Sequence, residues 1–388
     1  ADKAQRAIAP FDSYTLTTPV LSETVPHKID DYDSALRWFR AEADNLVGAV
    51  RMAADIGEDA TAWRLAVVLR AIYMHRNLFD DWITTARIGV DAAKRSGDLA
   101  GEAESCVSLG MALFQSRMLD EAETFHRRAL NIRRRLGDRF GEATSVNALG
   151  LLGLRRRDLR MAEARFRESE SIYSALGEQR WVALVRGNLA EVLCERGEFG
   201  AAATLAEAAV AIFRSLRDRF GVGDTLLRLA WAYRGSGRLP EAYAAIGEAV
   251  EIAEEDDNDV WRAHWLAELA RIQLARGEPA EALTTSQRSA VIQRRLGDRS
   301  REAVALDLTG QAYQQLARYE EAVGFHRRAV TVHRQLGDRW QAANDLAHLA
   351  AALDHCGDAD EARSCRREAA DLLSGFDDPV ADDLRRRL

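Results

Sequence analysis

The strings "FHRRALNIRRRLGDR" at residues 125–139 and "FHRRAVTVHRQLGDR" at residues 325–339 are nearly the same text, 200 residues apart. Taken singly, each looks like a basic arm for nucleic acid. Taken together, they look like two copies of one structural unit. In the first copy Phe125, Ala129, Ile132 and Leu136 recur at steps of four, three and four, which places them on one face of a helix. Arg127, Arg128, Arg134 and Arg135 fall off that face and are expected on a solvated, convex surface. Gly137 suits the left-handed residue that ends a helix, and Asp138 can cap the amides that open the next one. Gly297 with Asp298 and Gly337 with Asp338 repeat the arrangement.

A step of 40 residues from Gly97 lands on Gly137, Gly177, Arg217, Asp257, Gly297 and Gly337. A second set of breakers falls midway, at Arg117, Arg157, Gly197, Gly237, Gly277, Ala317 and Gly357. Between them lie segments rich in Ala, Leu, Glu and Arg and almost without proline, so each unit is a pair of helices. One such pair cannot bury its apolar face alone, and tandem copies must stack. The fold class expected is all-α, a right-handed superhelical solenoid of about eight helix pairs over 58–374. A helical half-unit over 34–57 precedes it and a short capping helix over 375–388, opened by Asp378-Pro379, closes it. Residues 1–33 read as a linker and the end of an upstream module, with 10–30 extended around Pro10, Pro19 and Pro26. "EEDDND" at 254–259 replaces the usual junction and is expected to be a longer, acidic connection.

Small residues recur at fixed places. First helices carry Leu109-Gly110, Leu149-Gly150, Leu189-Ala190, Leu229-Ala230, Leu269-Ala270, Thr309-Gly310 and Leu349-Ala350. Second helices carry Ala122, Ala162, Ala202, Ala242, Ala282, Ala322 and Ala362, each followed seven residues later by Ala or Ser. This pattern resembles the tetratricopeptide repeat, in a 40-residue long-helix form; Tyr233 and Tyr313 fill its aromatic place, whereas Gly153 and Gln273 depart from it. The N-terminal text "ADKAQRAIAP", "ALRWFRAEADNLVGAV" and "DDWITTARIGVDAAKRSGDLAGEA" resembles the junction between ATPase module and repeats in actinobacterial STAND regulators, including the Streptomyces antibiotic regulatory protein type. That resemblance implies a sensor domain that restrains upstream ATPase and DNA-binding domains of the same polypeptide until a partner binds. The chain has no GxxxxGK[ST], so ATP hydrolysis is not carried over to it. Its first residue is Ala rather than Met, which fits a piece of a longer regulator. The alternative is a free-standing adaptor or peptide-pheromone receptor.

Charge argues against nucleic acid and anionic lipid as direct partners: 61 Asp and Glu outweigh 53 Lys and Arg, for a formal net charge of -8. Cys106, Cys194, Cys356 and Cys365 form no CxxC pair, and no run approaches the roughly 18 apolar residues of a membrane span, so a cytoplasmic setting is expected. Phosphate loops, GxSxG and HExxH are absent, so neither enzymatic activity nor a cofactor is expected. Nor is a metal site: His355, Cys356 and Cys365 lack a fourth partner, and His326 and His333 stand two helical turns apart. The expected function is protein or peptide binding on the concave wall formed by the first helices. Its candidate residues are Asn147, Asn188, Glu191, Arg228, Trp231, Arg234, His264, Arg271, Asp307, Gln311, Gln314 and Asn344, with His348 beside them. Arg228, Arg234 and Arg271 around Trp231 suit an acidic or carboxylate-ended segment, unless Glu191 and Glu268 already occupy them. The carboxylate-clamp residues of peptide-binding tetratricopeptide proteins are not matched as a set.

Overall fold

The computed structural model describes residues 1–8, 28, 29, 31–76 and 78–388. Nearly all of the segment 10–30, expected to be an extended linker, lies outside the described residues. Among those residues the chain is helical throughout, without a strand. Two helices, α1 (Asp2–Ile8) and α2 (Tyr32–Asp55), precede eight pairs. The pairs are α3 (Asp59–Arg76) with α4 (Phe79–Arg95), α5 (Leu99–Gln115) with α6 (Leu119–Leu136), α7 (Arg139–Arg155) with α8 (Leu159–Leu176), and α9 (Gln179–Glu195) with α10 (Phe199–Ser215). There follow α11 (Arg219–Gly235) with α12 (Leu239–Glu255), α13 (Asp259–Ala275) with α14 (Pro279–Leu296), α15 (Arg299–Gln315) with α16 (Tyr319–Gln335), and α17 (Arg339–Cys356) with α18 (Ala359–Leu373). The cap α19 (Pro379–Arg387) begins where Asp378 accepts hydrogen bonds from the amides of Val380 and Ala381. By packing, residues 1–152 and 153–388 form two compact units.

In the first unit α1 lies against α2 and α3 with Ala4 buried, and Asp31 and Ser34 cap α2 reciprocally. Phe39, Leu69, Tyr73, Trp82 and Leu113 lie in its core. In the second unit consecutive helices pack on each other from α8 to α19, and Ala206, Phe213, Leu226, Ile246 and Trp265 lie in its largest apolar cluster.

The turns obey one rule. From Gly97 to Gly357 a residue with positive φ stands every twenty positions, and five of them are not glycine: Arg117, Arg157, Arg217, Asp257 and Ala317. After many of these an Asp or Asn caps the next helix: Asp98, Asp138, Asp158, Asp218, Asn258, Asp298 and Asp338 each accept from an amide three residues on. The acidic junction at 254–259 obeys the same rule, which corrects the expectation of a longer connection. Its α12 ends at Glu255, Asp257 takes φ 45°, and α13 starts at Asp259.

Small residues let the helices approach. Ala122, Ala162, Ala202, Ala242, Ala282, Ala322 and Ala362 are all fully buried, as are their Ala or Ser partners seven positions later. At Gly310 a Cβ would stand 2.6 Å from Cε1 of His326, so the ring and the glycine are one packing device; Gly110 and His126 repeat it at 2.7 Å. Another slot on the second helices is buried whatever fills it: Arg133, Tyr173, Phe213, Ala253, Gln293, His333 and Leu373. Arg133 pairs with Glu104 there and donates to the Gly141 carbonyl at 2.8 Å. Of the other arginines in the opening string, Arg127, Arg134 and Arg135 are exposed as expected and Arg128 is half-buried; Arg127 pairs with Glu123, Arg128 with Glu102 and Arg134 with Glu142.

A left-handed backbone costs an ordinary residue about 1–2 kcal/mol, partly offset by the chain entropy that glycine loses on folding. Ala317→Gly is therefore expected to stabilise its turn by about 0.5–1 kcal/mol, and Gly237→Ala, where open space surrounds the Cα, to destabilise by about 1 kcal/mol. Urea midpoints of the two variants should move in opposite directions.

Candidate functional site

In the second unit the first helices of neighbouring pairs touch directly, α9 on α11, α11 on α13, α13 on α15 and α15 on α17. Their second helices are bridged instead by long side chains, Arg214 to Glu248, Arg288 to Glu254, Arg327 to Glu361 and Arg334 to Glu368. The first helices thus form the inner side of the stack. These outer pairs are exposed and stabilise by about 0–1 kcal/mol each.

The inner wall carries two polar groups. In the first, Arg228 lies between Glu191, at 3.0 Å, and Asp224, at 2.5 Å. Burial opposes its charge, but the two carboxylates outweigh burial and hold it protonated. Glu268 is buried and accepts from Arg234 at 2.7 Å and from Arg271 at 3.2 Å. Three guanidinium groups thus meet three carboxylates, so the cations expected to clamp an acidic segment already have internal partners. Trp231 is half-buried against the apolar core. His264 stands apart from these pairs: burial, then the charges of Arg301, Arg228, Arg271 and Arg155, drive its pKa well below the usual value. It is neutral at physiological pH, in a positive field.

The second group joins α15, α16 and α17. Asp307 Oδ1 lies 2.7 Å from Nδ1 of buried His326, and its Oδ2 lies 3.0 Å from Nδ1 of His348. Gln311 donates to Asp307 Oδ2 at 2.7 Å, and Gln314 Oε1 lies 2.9 Å from His326 Nε2. Burial raises the carboxyl of Asp307, but His348 and His326 overcome it and hold the group well below its ordinary range. Beside it His333 Nδ1 lies 2.6 Å from Asp345 Oδ2, both buried. Burial first, and then the charge of Asp307, push Asp345 up to about 7 despite that bond. For His333 burial works against the charge, and the bond and charge of Asp345 prevail and raise it.

Of the residues expected on the wall, Glu191 with Arg228, Arg234 with Arg271, and Asp307 with Gln311 and Gln314 come together in these groups. Asn344 turns back to the Trp340 carbonyl at 2.8 Å; Asn188 is buried and Asn147 half-buried, and both have partners. His355 stacks on Tyr319, Cys356 is exposed and Cys365 buried.

A third feature closes the second unit on itself. Arg157, in the turn between α7 and α8 with φ 60°, donates to Asp378 through Nε at 2.7 Å and Nη2 at 2.9 Å. It also pairs with Glu195, and its guanidinium lies 3.4 Å from the ring centroid of Trp340. Arg157 and Asp378 are 221 residues apart and more than nine-tenths buried. The turn before α8 therefore touches both α17 and the cap.

Against known families, the tetratricopeptide repeat model matches residues 102–175, 181–255 and 261–335, more than half of the chain. The chain belongs to the tetratricopeptide repeat family. Such repeats form a fold that generally serves as a non-enzymatic scaffold for proteins and peptides. Among curated relatives, the regulatory protein AfsR of Streptomyces griseus is 30% identical over 150 residues, 39% of this chain; the match spans 14% of the length of AfsR. Among solved structures, a Rap protein complexed with competence and sporulation factor superposes with TM-score 0.61 at 13% identity, covering 90% of this chain and 99% of that one. A signal transduction ATPase with numerous domains and a tetratricopeptide repeat sensor, from Pyrococcus horikoshii, superposes with TM-score 0.55 at 15% identity, covering 92% of this chain and 54% of that one. No helix among the described residues of this tetratricopeptide chain is long and apolar enough to cross a membrane.

Two outcomes follow from the geometry. Arg157→Gly suits the left-handed backbone yet removes the guanidinium, and breaking a buried ion pair costs about 3 kcal/mol. Hydrogen exchange in α19 is expected to accelerate by about a hundredfold, while α11 and α12 keep their protection. The second outcome concerns pH. Asp345 and His333 both titrate higher in the folded chain than at their ordinary values of 3.8 and 6.5, so the folded state holds more protons than the unfolded one over that range. Their contribution is present in acid and is lost as pH rises, whereas His264 and His126, held neutral by burial, contribute in the opposite direction; the part of the melting-temperature slope owed to Asp345 and His333 is therefore downward between about pH 5 and about pH 8. Asp345→Asn should flatten that slope in a thermal-shift series.

Proposed function

We propose that this tetratricopeptide chain is the sensor and autoinhibitory domain of a multidomain ATPase regulator of transcription, with a partner protein or peptide on its concave wall. The observation that carries the reading is the 30% identity with a Streptomyces regulatory protein. The fold-level likeness to a STAND protein whose repeats are described as a sensor supports it. The partner meets the wall between Glu191 and His348. An acidic segment suits the positive surroundings of His264, exchanging with Glu191 or Glu268 for the guanidinium groups they now hold. ATPase and DNA-binding domains lie upstream in the same polypeptide, which works in the cytoplasm.

The coding sequence before Ala1 is expected to contain an ATPase and a DNA-binding domain. In that polypeptide, deletion of residues 59–373 should raise basal ATP hydrolysis several-fold, and unchanged hydrolysis would remove the autoinhibitory role. One observation favours a second reading, a free-standing peptide receptor: the likeness to a Rap protein complexed with competence and sporulation factor extends over 99% of that chain. A start codon immediately before Ala1 would select it.

A further inference from the structure

The two strings that open the sequence differ in what surrounds their histidines. His126 and His326 are equivalent in the repeat, and each packs on a glycine, Gly110 or Gly310. Around His126, the places equivalent to Asp307, Gln311, Gln314 and His348 hold Val107, Met111, Phe114 and Ala148. Burial presses the pKa of His126 down to about 4, and its Nδ1 has no hydrogen-bond partner. Around His326 the same four places are all polar. Four apolar places exchanged together for a carboxylate, two amides and an imidazole are more than a single tolerated polar substitution in a packed wall.

We propose that Asp307, His326 and His348 form a binding site for one divalent transition-metal ion of zinc type, placed on the inner wall. Each residue offers one ligand atom, and the three atoms lie within 4.8 Å of one another. They come from three successive helices, α15, α16 and α17. A tetrahedral ion with bonds of about 2.0–2.2 Å holds neighbouring ligand atoms about 3.4 Å apart. Asp307 Oδ1 now lies 2.7 Å from His326 Nδ1 and 3.1 Å from His348 Nδ1, so both spacings must open by less than about 1 Å to admit the ion. Two imidazoles and one carboxylate suit a borderline ion rather than calcium or magnesium, which prefer oxygen.

The surroundings fit as well. A metal-binding histidine ordinarily fixes its second nitrogen on an oxygen acceptor, and here His326 Nε2 faces Gln314 Oε1 at 2.9 Å. Gln311 holds the far oxygen of Asp307 at 2.7 Å. Protons now bridge the carboxylate and the rings; the ion takes their place and they leave to solvent. The His348 side chain is 37% exposed, so the ion can enter from the groove. Three protein ligands leave a fourth position for water or for a donor atom of the partner.

Isothermal titration of the chelator-treated chain with zinc chloride tests the site, in a Cys356→Ser background that removes the exposed thiol. One equivalent should bind, and cobalt in place of zinc should give the visible d–d bands of a low-coordinate site. His348→Ala, at a part-exposed position, should weaken binding by at least about tenfold. Asp307→Asn should do the same and Gln314→Leu should weaken it less; His126→Ala should leave it unchanged. If Asp307→Asn does not fold, His348→Ala and the cobalt spectrum decide. Absence of a stoichiometric event in the parent chain, or equal affinity after His348→Ala, would overturn the site and leave a hydrogen-bonded network alone.

Discussion

A left-handed residue every twenty positions is the constraint on which the structure depends. Each one stops a helix after about five turns and delivers the chain, in three residues, to the cap of the next. Because the turns are alike, the helices are alike in length, and each pair presents the same apolar stripe to its neighbour. Fully buried alanines and serines at fixed places then set how closely the pairs approach. The repeat tolerates Arg, Asp or Ala at the turn, where glycine would be less strained, because packing on both sides over-determines the conformation.

That regularity explains what could be read from the sequence. The breakers stand at fixed spacing even where the residue is Arg217, Asp257 or Ala317, so the period identified turns that residue type alone would have missed. The caps at Asp138, Asp298 and Asp338 were legible for the same reason. "EEDDND" misled because a run of acids resembles a solvated loop, whereas the backbone needs only the usual turn. Composition spoke louder there than register.

The inner wall was harder to read. Its positions followed from the repeat, but its chemistry depends on side chains that reach 34 to 41 residues along the chain, as Arg234 does to Glu268 and His348 to Asp307. No short spacing marks such pairs. The spacing of His326 from His333 on its own helix points away from a shared ion, and the partners that matter lie on the helices before and after. The buried slot shared by Arg133, Tyr173 and His333 was equally hidden, since an arginine beside Ile132 looks like a surface residue until Glu104 is placed next to it.

The clasp of Arg157 on Asp378 and Trp340 sets this array apart from an open-ended stack. In an open stack a unit can be gained or lost with little consequence for the others, since each touches only its neighbours. Here an insertion or deletion of one unit between the two ends would carry Asp378 past its arginine and leave that buried carboxylate without its partner. The number of rungs in this portion of the ladder is therefore not free to drift in evolution.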